Sequence, residues 1–256
     1  HTPPGPPPGS RVSALSRQVA VSLGLDEKDI VNIEIAGFLH DIGKLGLPKK
    51  IIDYNQQTWD EQEWALYQSH PEEGQSIVRF INKLDQVAIL IRAHHERYDG
   101  GGFPDQLNEE AIPLGARIIT VVDAYDRIAN LKLNTQIYLD EYLKEKKLAA
   151  EQLPEEELTR QAAINHLKRG AFSIYDPDMV KAFLDVLKKT GVKNRMEKKL
   201  ALDNLREGMV LSRSLYSRKG RFLLPHDTAL TKEHIHGLKN IKPSDPVAIP
   251  VYVIVK

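Results

Sequence analysis

Hydrophobic positions recur with a helical period along most of the chain. Two sets of four apolar residues have the spacing i, i+3, i+4, i+7: Ile35, Phe38, Leu39 and Ile42, and Ile118, Val121, Val122 and Tyr125. Side chains at this spacing share one face of an α-helix. From residue 11 to about residue 197 the pattern predicts a mainly α domain of seven to nine helices.

The pattern changes near residue 198, and three parts are predicted. Residues 198–256 hold short β-branched and apolar runs, a turn at Lys219-Gly220 and a closing strand, which are typical of a small, mostly β domain. Residues 1–10 have Pro or Gly at seven of ten positions, which favours a linker or a tag remnant. The helical domain is therefore expected at 11–197.

Composition narrows the chemistry. The 256 residues carry a formal net charge of zero, so no global charge favours DNA or a membrane surface as a partner. The chain has no cysteine, which excludes disulfides and thiolate metal sites. No apolar run approaches the ~18 residues of a membrane span, and no signal peptide is evident, so a cytoplasmic location is expected.

Candidate metal ligands concentrate in the helical part. Four of the nine histidines lie within residues 40–95: His40, His70, His94 and His95. Two carboxylates accompany them, Asp41 directly after the first histidine and Asp123 on a predicted helix. Singly, each has an ordinary explanation, such as a helix cap, a core histidine or a surface ion pair of Asp123 with Arg127. Together they form a ligand set suited to Fe, Mn or Zn.

Adjacent ligands favour two metal ions over one. Neighbouring helical side chains point about 100° apart, so one ion seldom binds both members of the pair His94-His95. The pairs His40-Asp41 and His94-His95 can divide their side chains between two ions, with Asp41 bridging them. Two ions about 3.5–4 Å apart hold a bridging hydroxide that attacks phosphorus. Glu96 is expected to orient an imidazole.

A glycine-rich stretch, DGGGFP at residues 99–104, follows the histidine pair. Its glycines allow close approach of the backbone to a ligand, Phe103 can stack on a base, and Pro104 stiffens the exit. The alternative is that the glycines only terminate a helix. Gly102, Phe103 and Pro104 are therefore candidate substrate contacts.

Four motifs resemble those of the HD-GYP family of bacterial phosphodiesterases, a branch of the HD superfamily: HDIGK, HPEEG, HHERYDGGGFP and VVDAYD. The resemblance covers about residues 11–190 and implies an HD-type helical bundle with a two- or three-metal centre, often iron. It implies hydrolysis of cyclic di-GMP or a related cyclic dinucleotide. Matched by position, it assigns metal binding to six residues: His40, Asp41, His70, His94, His95 and Asp123.

The resemblance also implies roles for two lysines. Lys44 matches the lysine that meets the phosphate, a role that suits its compact charge, and is predicted to be catalytic together with Asp41. Lys132 takes the place of an arginine that binds substrate. Other positions also depart from the family. Pro8 stands where a further metal-binding histidine is usual, and Phe103 replaces the tyrosine of Gly-Tyr-Pro. Leu133 and Asn134 stand where a proline and a tyrosine usually follow the arginine.

The predicted function is hydrolysis of a cyclic dinucleotide, cyclic di-GMP or cyclic GMP-AMP, in bacterial second-messenger signalling. Two divalent ions are expected, iron before manganese or zinc. The resemblance implies an upstream receiver or sensor domain as a partner, and the β domain offers an interface for a homodimer. One alternative is a degenerate signalling module that binds nucleotide or a partner without turnover. Another is a general HD phosphohydrolase acting on linear nucleotides.

Overall fold

The computed structural model describes residues 9–52, 59–130, 136–148, 155–189, 196–211, 215–218, 222–224, 228–241, 244–247 and 251–255. These residues fall into two compact units, one within residues 8–190 and one within 191–256. The predicted domain limits, 1–10, 11–197 and 198–256, stay predictions.

The first unit contains ten α-helices among its described residues, more than the seven to nine predicted. They are α1 (Ser10–Ser22), α2 (Glu27–Leu39), α3 (Lys49–Ile52), α4 (Glu61–Gln68), α5 (His70–Arg79), α6 (Asp85–Ala93), α7 (Leu114–Ala129), α8 (Gln136–Lys146), α9 (Glu155–Gly170) and α10 (Pro177–Lys189). The extra elements are short. Helix α3 is a single turn, and α4 and α5 are separated only by Ser69 because Pro71 fits the first turn of a new helix.

Helix α7 runs through the centre of this unit and packs against α1, α2, α6, α9 and α10. The apolar face predicted for it, Ile118, Val121, Val122 and Tyr125, is buried. Most other positions of the helix are buried as well, which explains its apolar character on several sides. A polar residue on α7 is therefore placed inside the unit.

Helix α2 forms where the apolar spacing predicts it, and Ile35, Leu39 and Ile42 of that set pack against the core while Phe38 does not. Phe38 is 46% exposed, and the buried residues are Ile30, Ile33, Ala36 and Gly37. Small side chains let α2 approach α1 closely, since a Cβ on Gly37 would lie 3.1 Å from Ser13 Cα in α1. Close packing against α1 turns the C-terminus of α2, and with it His40, towards the interior.

The second unit is small and mostly β. Its elements are β1 (Met196–Leu200), β2 (Val210–Leu211), β3 (Leu215–Tyr216), β4 (Phe222–Leu224), α11 (Lys232–Lys239) and β5 (Val251–Val255). An antiparallel sheet has the order β1-β5-β2, and β3 pairs with β4. The predicted fold class, a mainly α bundle with a small C-terminal β domain, is confirmed. No described helix has the length and apolar character needed to cross a bilayer.

Candidate metal centre

The histidine and aspartate of the first motif lie where α2 ends. His40 is the C-cap residue of α2, and Asp41 precedes a 3-10 helix, Ile42–Gly46. This 3-10 helix packs closely against α5, because a Cβ on Gly43 would overlap the carbonyl oxygen of His70. Glycine at this position therefore allows Asp41 to lie beside His70.

Three other elements supply the remaining predicted ligands. His70 is the first residue of α5, and His94 is the C-cap residue of α6, with His95 directly after it. Asp123 lies in the buried middle of α7. The structure brings all six predicted residues together.

One group of ligand atoms comes from Asp41, His70, His94 and His95, and these atoms all lie within 4.8 Å of one another. Asp41 Oδ1 is 3.5 Å from His70 Nε2 and 3.9 Å from His94 Nε2. Three imidazoles with one carboxylate oxygen form a donor set suited to a divalent transition metal.

A second group adjoins the first through the other oxygen of Asp41. His40 Nε2 lies 3.5 Å from Asp41 Oδ2 and 3.5 Å from Asp123 Oδ1. Asp41 therefore faces His70 and His94 with one oxygen and His40 with the other. The division predicted from adjacency is found at Asp41, which faces both groups. It is wrong for His94 and His95, whose ligand atoms belong to the same group.

Three of the imidazoles are fixed by the same local hydrogen bond. In each, Nδ1 donates to the carbonyl oxygen three residues earlier: His40 to Gly37 (2.8 Å), His70 to Tyr67 (2.6 Å) and His94 to Ile91 (2.6 Å). A carbonyl only accepts, so Nδ1 carries the proton and Nε2 of the neutral ring is a bare lone pair. Such outer contacts orient imidazoles for metal binding.

The bare lone pairs show that these residues fit a metal ion. His70 Nε2 and His94 Nε2 face each other at 3.4 Å, with no proton available between them in the neutral rings. Two acceptors at this distance repel, and a cation removes the repulsion. A cationic group already contacts the carboxylate of Asp41, which adjoins both rings, since Lys44 Nζ lies 2.8 Å from Asp41 Oδ1.

Burial and charge shift the pKa values within the cluster in opposite directions. Burial lowers the pKa of His70 to about 4 and that of His94 to about 3, so both are neutral near pH 7. Burial also acts to lower the pKa of His40, but the nearby Asp41 and Asp123 raise it to about 9. A metal ion bound at His40 must therefore displace a proton.

The two carboxylates stay ionised, although Asp123 is buried and Oδ1 of Asp41 is enclosed. Burial acts to raise the pKa of Asp41, but His40 and Lys44 hold it well below its usual range. For Asp123, the guanidinium of Arg127 and the imidazole of His40 lower the pKa in the same way. Both carboxylates are therefore available to bind cations at neutral pH.

A cavity of about 350 Å³ opens beside the cluster. Its wall includes His94, His95, Asp123, Gly102, Phe103 and Arg127. Of the predicted substrate contacts, Gly102 and Phe103 border this cavity, whereas Lys44 and Pro104 are not part of the wall that the described residues form. Lys132 lies outside the described residues.

Glu96 holds the glycine-rich loop in place. Its carboxylate is buried and accepts hydrogen bonds from the backbone N–H groups of Asp105 (2.7 Å) and Leu107 (3.1 Å). Its expected role as the partner of an imidazole is wrong for the three histidines described above, because their Nδ1 atoms donate to backbone carbonyls. Glu96 instead anchors the segment that follows Phe103.

The anchored loop places Phe103 against the cluster. The Phe103 ring stacks on His95, with centroids 4.9 Å apart and planes inclined by 26°. Gly102 lies so close to the preceding chain that a Cβ would be 2.5 Å from Glu96 Cα. The glycine therefore serves the packing of the loop and does more than end a helix.

Among the residues that border the cavity without having been singled out as site residues from the sequence are Tyr67, Arg127 and Tyr175. The hydroxyl of Tyr67 lies 3.5 Å from His95 Nε2, and Arg127 Nε lies 3.1 Å from Asp123 Oδ2. The i, i+4 spacing of Asp123 and Arg127 does predict their contact. The expectation of an ordinary surface ion pair is wrong, because Asp123 is buried and Arg127 borders the cavity.

Comparison with known proteins agrees with this geometry. The model of the HD domain family matches residues 1–148. The cyclic di-GMP phosphodiesterase response regulator RpfG of Xanthomonas campestris pv. campestris is 40% identical over 124 residues, which cover 48% of this chain and 32% of that protein. The 3'3'-cGAMP-specific phosphodiesterase 2 of Vibrio cholerae is 36% identical over 141 residues, which cover 54% of this chain and 27% of that protein. The matches thus span at most about a third of the length of these relatives.

A solved structure shares the fold. Bd1817, an HDG"Y"P protein from Bdellovibrio bacteriovorus, has 22% sequence identity and a TM-score of 0.51, over 70% of this chain and 51% of that one. The family match covers more than half of the chain and includes the HDIGK, HPEEG, HHERYDGGGFP and VVDAYD motifs. The recognition based on these motifs is confirmed, and the chain belongs to the HD domain family, of which the HD-GYP proteins are a branch.

Proposed function

We propose that this chain hydrolyses a phosphodiester bond of a cyclic dinucleotide, with two divalent metal ions, iron before manganese or zinc. One observation carries the proposal: the two oxygens of Asp41 face two separate groups of buried ligands. The names of the similar proteins, phosphodiesterases for cyclic di-GMP and for 3'3'-cGAMP, support this substrate class.

The ligands divide between two sites. His70, His94, His95 and Asp41 Oδ1 would hold one ion, and His40, Asp123 and Asp41 Oδ2 the other. When bound, such a pair supplies an activated water as nucleophile and neutralises the charge that develops on the phosphoryl oxygens. Both candidate sites use imidazole and carboxylate ligands only, which suits iron, manganese and zinc alike.

The protein's own groups prepare this chemistry in advance. The Nδ1 hydrogen bonds of His40, His70 and His94 hold the imidazoles in place, so little reorganisation accompanies binding. Lys44 adds a positive charge beside Asp41, where it stabilises negative charge on a phosphoryl group. Asp41 positions both halves of the centre.

Substrate contacts come from the loop that Glu96 anchors. Phe103 borders the cavity and offers an aromatic surface for a nucleobase. Gly102 lets the loop pack against the backbone of Glu96 and Arg97, and it borders the cavity. Lys132 stays a predicted contact. The first relative is a response regulator by name, which supports control by a receiver or sensor domain in a longer protein.

The test combines metal analysis with a product assay on anaerobically purified protein. Cyclic di-GMP and cyclic GMP-AMP are supplied separately, and linear dinucleotides and mononucleotides are measured. Asp41→Ala should abolish both turnover and metal binding while helix content stays nearly intact. The same substitution at the exposed Asp140 of α8 serves as the control and should change neither.

Three results would contradict the proposal. Full activity in Asp41→Ala would remove the metal centre from the mechanism. A wild-type protein that holds metal and binds a cyclic dinucleotide without releasing product would instead support the alternative, a degenerate binding module. Turnover of linear nucleotides alone would favour a general phosphohydrolase.

A further inference from the structure

We propose that Arg127 binds the substrate phosphate beside Asp123 and thereby sets the affinity of the site for anionic ligands. The inference rests on the proposed function and adds to it a residue that the motifs do not assign. Arg127 lies on α7, one turn after Asp123, and borders the 350 Å³ cavity. Its position alone would also suit a structural role, so its contacts decide the matter.

The contact of the Arg127 guanidinium with an acid is made through Nε. Its Nε is enclosed and lies 3.1 Å from Asp123 Oδ2, while the side chain as a whole is 41% exposed. Among the described residues, Asp123 is the one acid within salt-bridge distance. By contrast, Arg92 pairs with both Glu72 and Asp105, as expected of a structural arginine.

Charge balance indicates that the loaded centre needs an anion. Asp41 and Asp123 carry two negative charges, which the positive charges of Lys44 and Arg127 offset. Each divalent ion then adds two uncompensated positive charges. Lys44 Nζ lies 2.8 Å from Asp41 Oδ1, whereas Arg127 forms part of the cavity wall. An anion entering the cavity therefore meets Arg127.

A phosphodiester is a suitable ligand for the guanidinium of Arg127. Its two non-bridging oxygens accept two parallel hydrogen bonds from a planar guanidinium, a geometry that an ammonium group lacks. Arg97 borders the same cavity, but its guanidinium donates two hydrogen bonds to Asp99. Tyr175, also on the wall, contacts His166, whose pKa burial lowers to about 4, so this pair adds no charge at neutral pH.

Two substitutions separate charge from geometry. Arg127→Gln removes the positive charge. Arg127→Lys keeps the charge but loses the two parallel N–H donors of the guanidinium. For cyclic dinucleotide hydrolysis we expect Arg127→Gln to raise KM by ~10- to 100-fold, with less than ~3-fold change in kcat and unchanged metal content. Arg127→Lys should recover part of the loss. Arg169→Gln, at an exposed arginine of α9 paired with Glu141, is the matched control and should match the wild type.

Other outcomes overturn the inference. A fall in metal content with KM unchanged would show that Arg127 only positions Asp123. Unchanged KM together with unchanged metal content would show that Arg127 makes no contact with the substrate. Either result leaves the proposed hydrolysis itself intact.

A second readout does not depend on turnover. Metal-loaded wild type and variants are titrated with inorganic phosphate, and the dissociation constant is measured by calorimetry. Binding weakened by at least ~10-fold in Arg127→Gln supports the inference even if no cyclic dinucleotide is hydrolysed. Equal affinity in the two proteins, or no phosphate binding by the wild type, overturns it.

Discussion

The Nε2 atoms of His70 and His94 face each other across 3.4 Å, although each ring already donates its Nδ1 proton to a backbone carbonyl. Folding thus holds two lone pairs together in a buried place. The free energy of this arrangement is recovered when a cation binds between them. Stability and metal binding should therefore be linked.

Metal addition should stabilise the chelator-treated protein. At about 100 times its dissociation constant, an ion that binds only the folded state contributes about 2.7 kcal/mol, and we expect Tm to rise by roughly 5–10 °C. His70→Ala should lose most of this increment, because it removes one imidazole from the cluster. Differential scanning calorimetry with and without Mn²⁺ measures the difference.

A partly buried histidine outside the cluster, His166, provides the control for this experiment. His166 contacts Tyr175 and belongs to neither group of ligands. His166→Ala should lower the Tm of the metal-free protein but retain the full increment on metal addition. A full increment in His70→Ala would show that the ion binds elsewhere.

Much of the centre is predictable from the sequence because its ligands occupy adjacent positions in short motifs. The adjacency of His40 and Asp41 indicates two neighbouring groups of ligands. The same reasoning fails for His94 and His95, because both rings reach one group after α6 has ended. The role of Glu96 is not predictable in this way. Its partners are backbone N–H groups of Asp105 and Leu107, and nothing in the residue type at those positions marks them as donors.

Glu96→Gln tests the anchoring of the loop. One backbone N–H would then face an amide NH₂ group instead of an oxygen, so a buried donor loses its acceptor. We expect a loss of about 1–3 kcal/mol in the free energy of unfolding and a higher KM, with metal content retained. Urea unfolding and steady-state kinetics give the two quantities. Glu73→Gln, at an exposed position of α5, should leave both unchanged.

Two glycines of one 3-10 helix give a sharper comparison. A Cβ on Gly43 would overlap His70 O and lie 2.6 Å from Gly74 N, whereas a Cβ on Gly46 would meet nothing within 4 Å. Gly43→Ala must push the 3-10 helix, with Asp41, away from α5. We expect it to lose at least about 2 kcal/mol of stability and most of its metal.

Gly46→Ala is the control, and it should be neutral or stabilising by up to about 1 kcal/mol because it restricts the unfolded chain. Chemical denaturation and elemental analysis measure both variants. Equal metal content in the two would show that the close contact at Gly43 does not position Asp41.

The importance of Arg127 also depends on the fold. The spacing i, i+4 predicts a contact with Asp123 in any helix, whether the pair lies on the surface or on a cavity wall. Only the burial of α7 on most sides, and the cavity beside it, separates the two cases. In α2, similarly, the apolar spacing predicts the helix, but the close contact with α1 that Gly37 permits cannot be inferred from hydrophobicity.

His166 should limit stability at acid pH independently of the metal centre. Burial lowers its folded pKa to about 4 from an ordinary value of 6.5, so the unfolded chain binds the proton more readily. The resulting stability is fully present above pH 6.5 and is lost as pH falls towards 4, by up to about 2 kcal/mol at pH 5.

His166→Gln does not titrate and can still accept a hydrogen bond from Tyr175. Urea unfolding of chelated protein at pH 7.5 and pH 5 should show a smaller loss in the variant, because the other buried histidines titrate equally in both proteins. An equal loss would show that His166 does not contribute to acid unfolding.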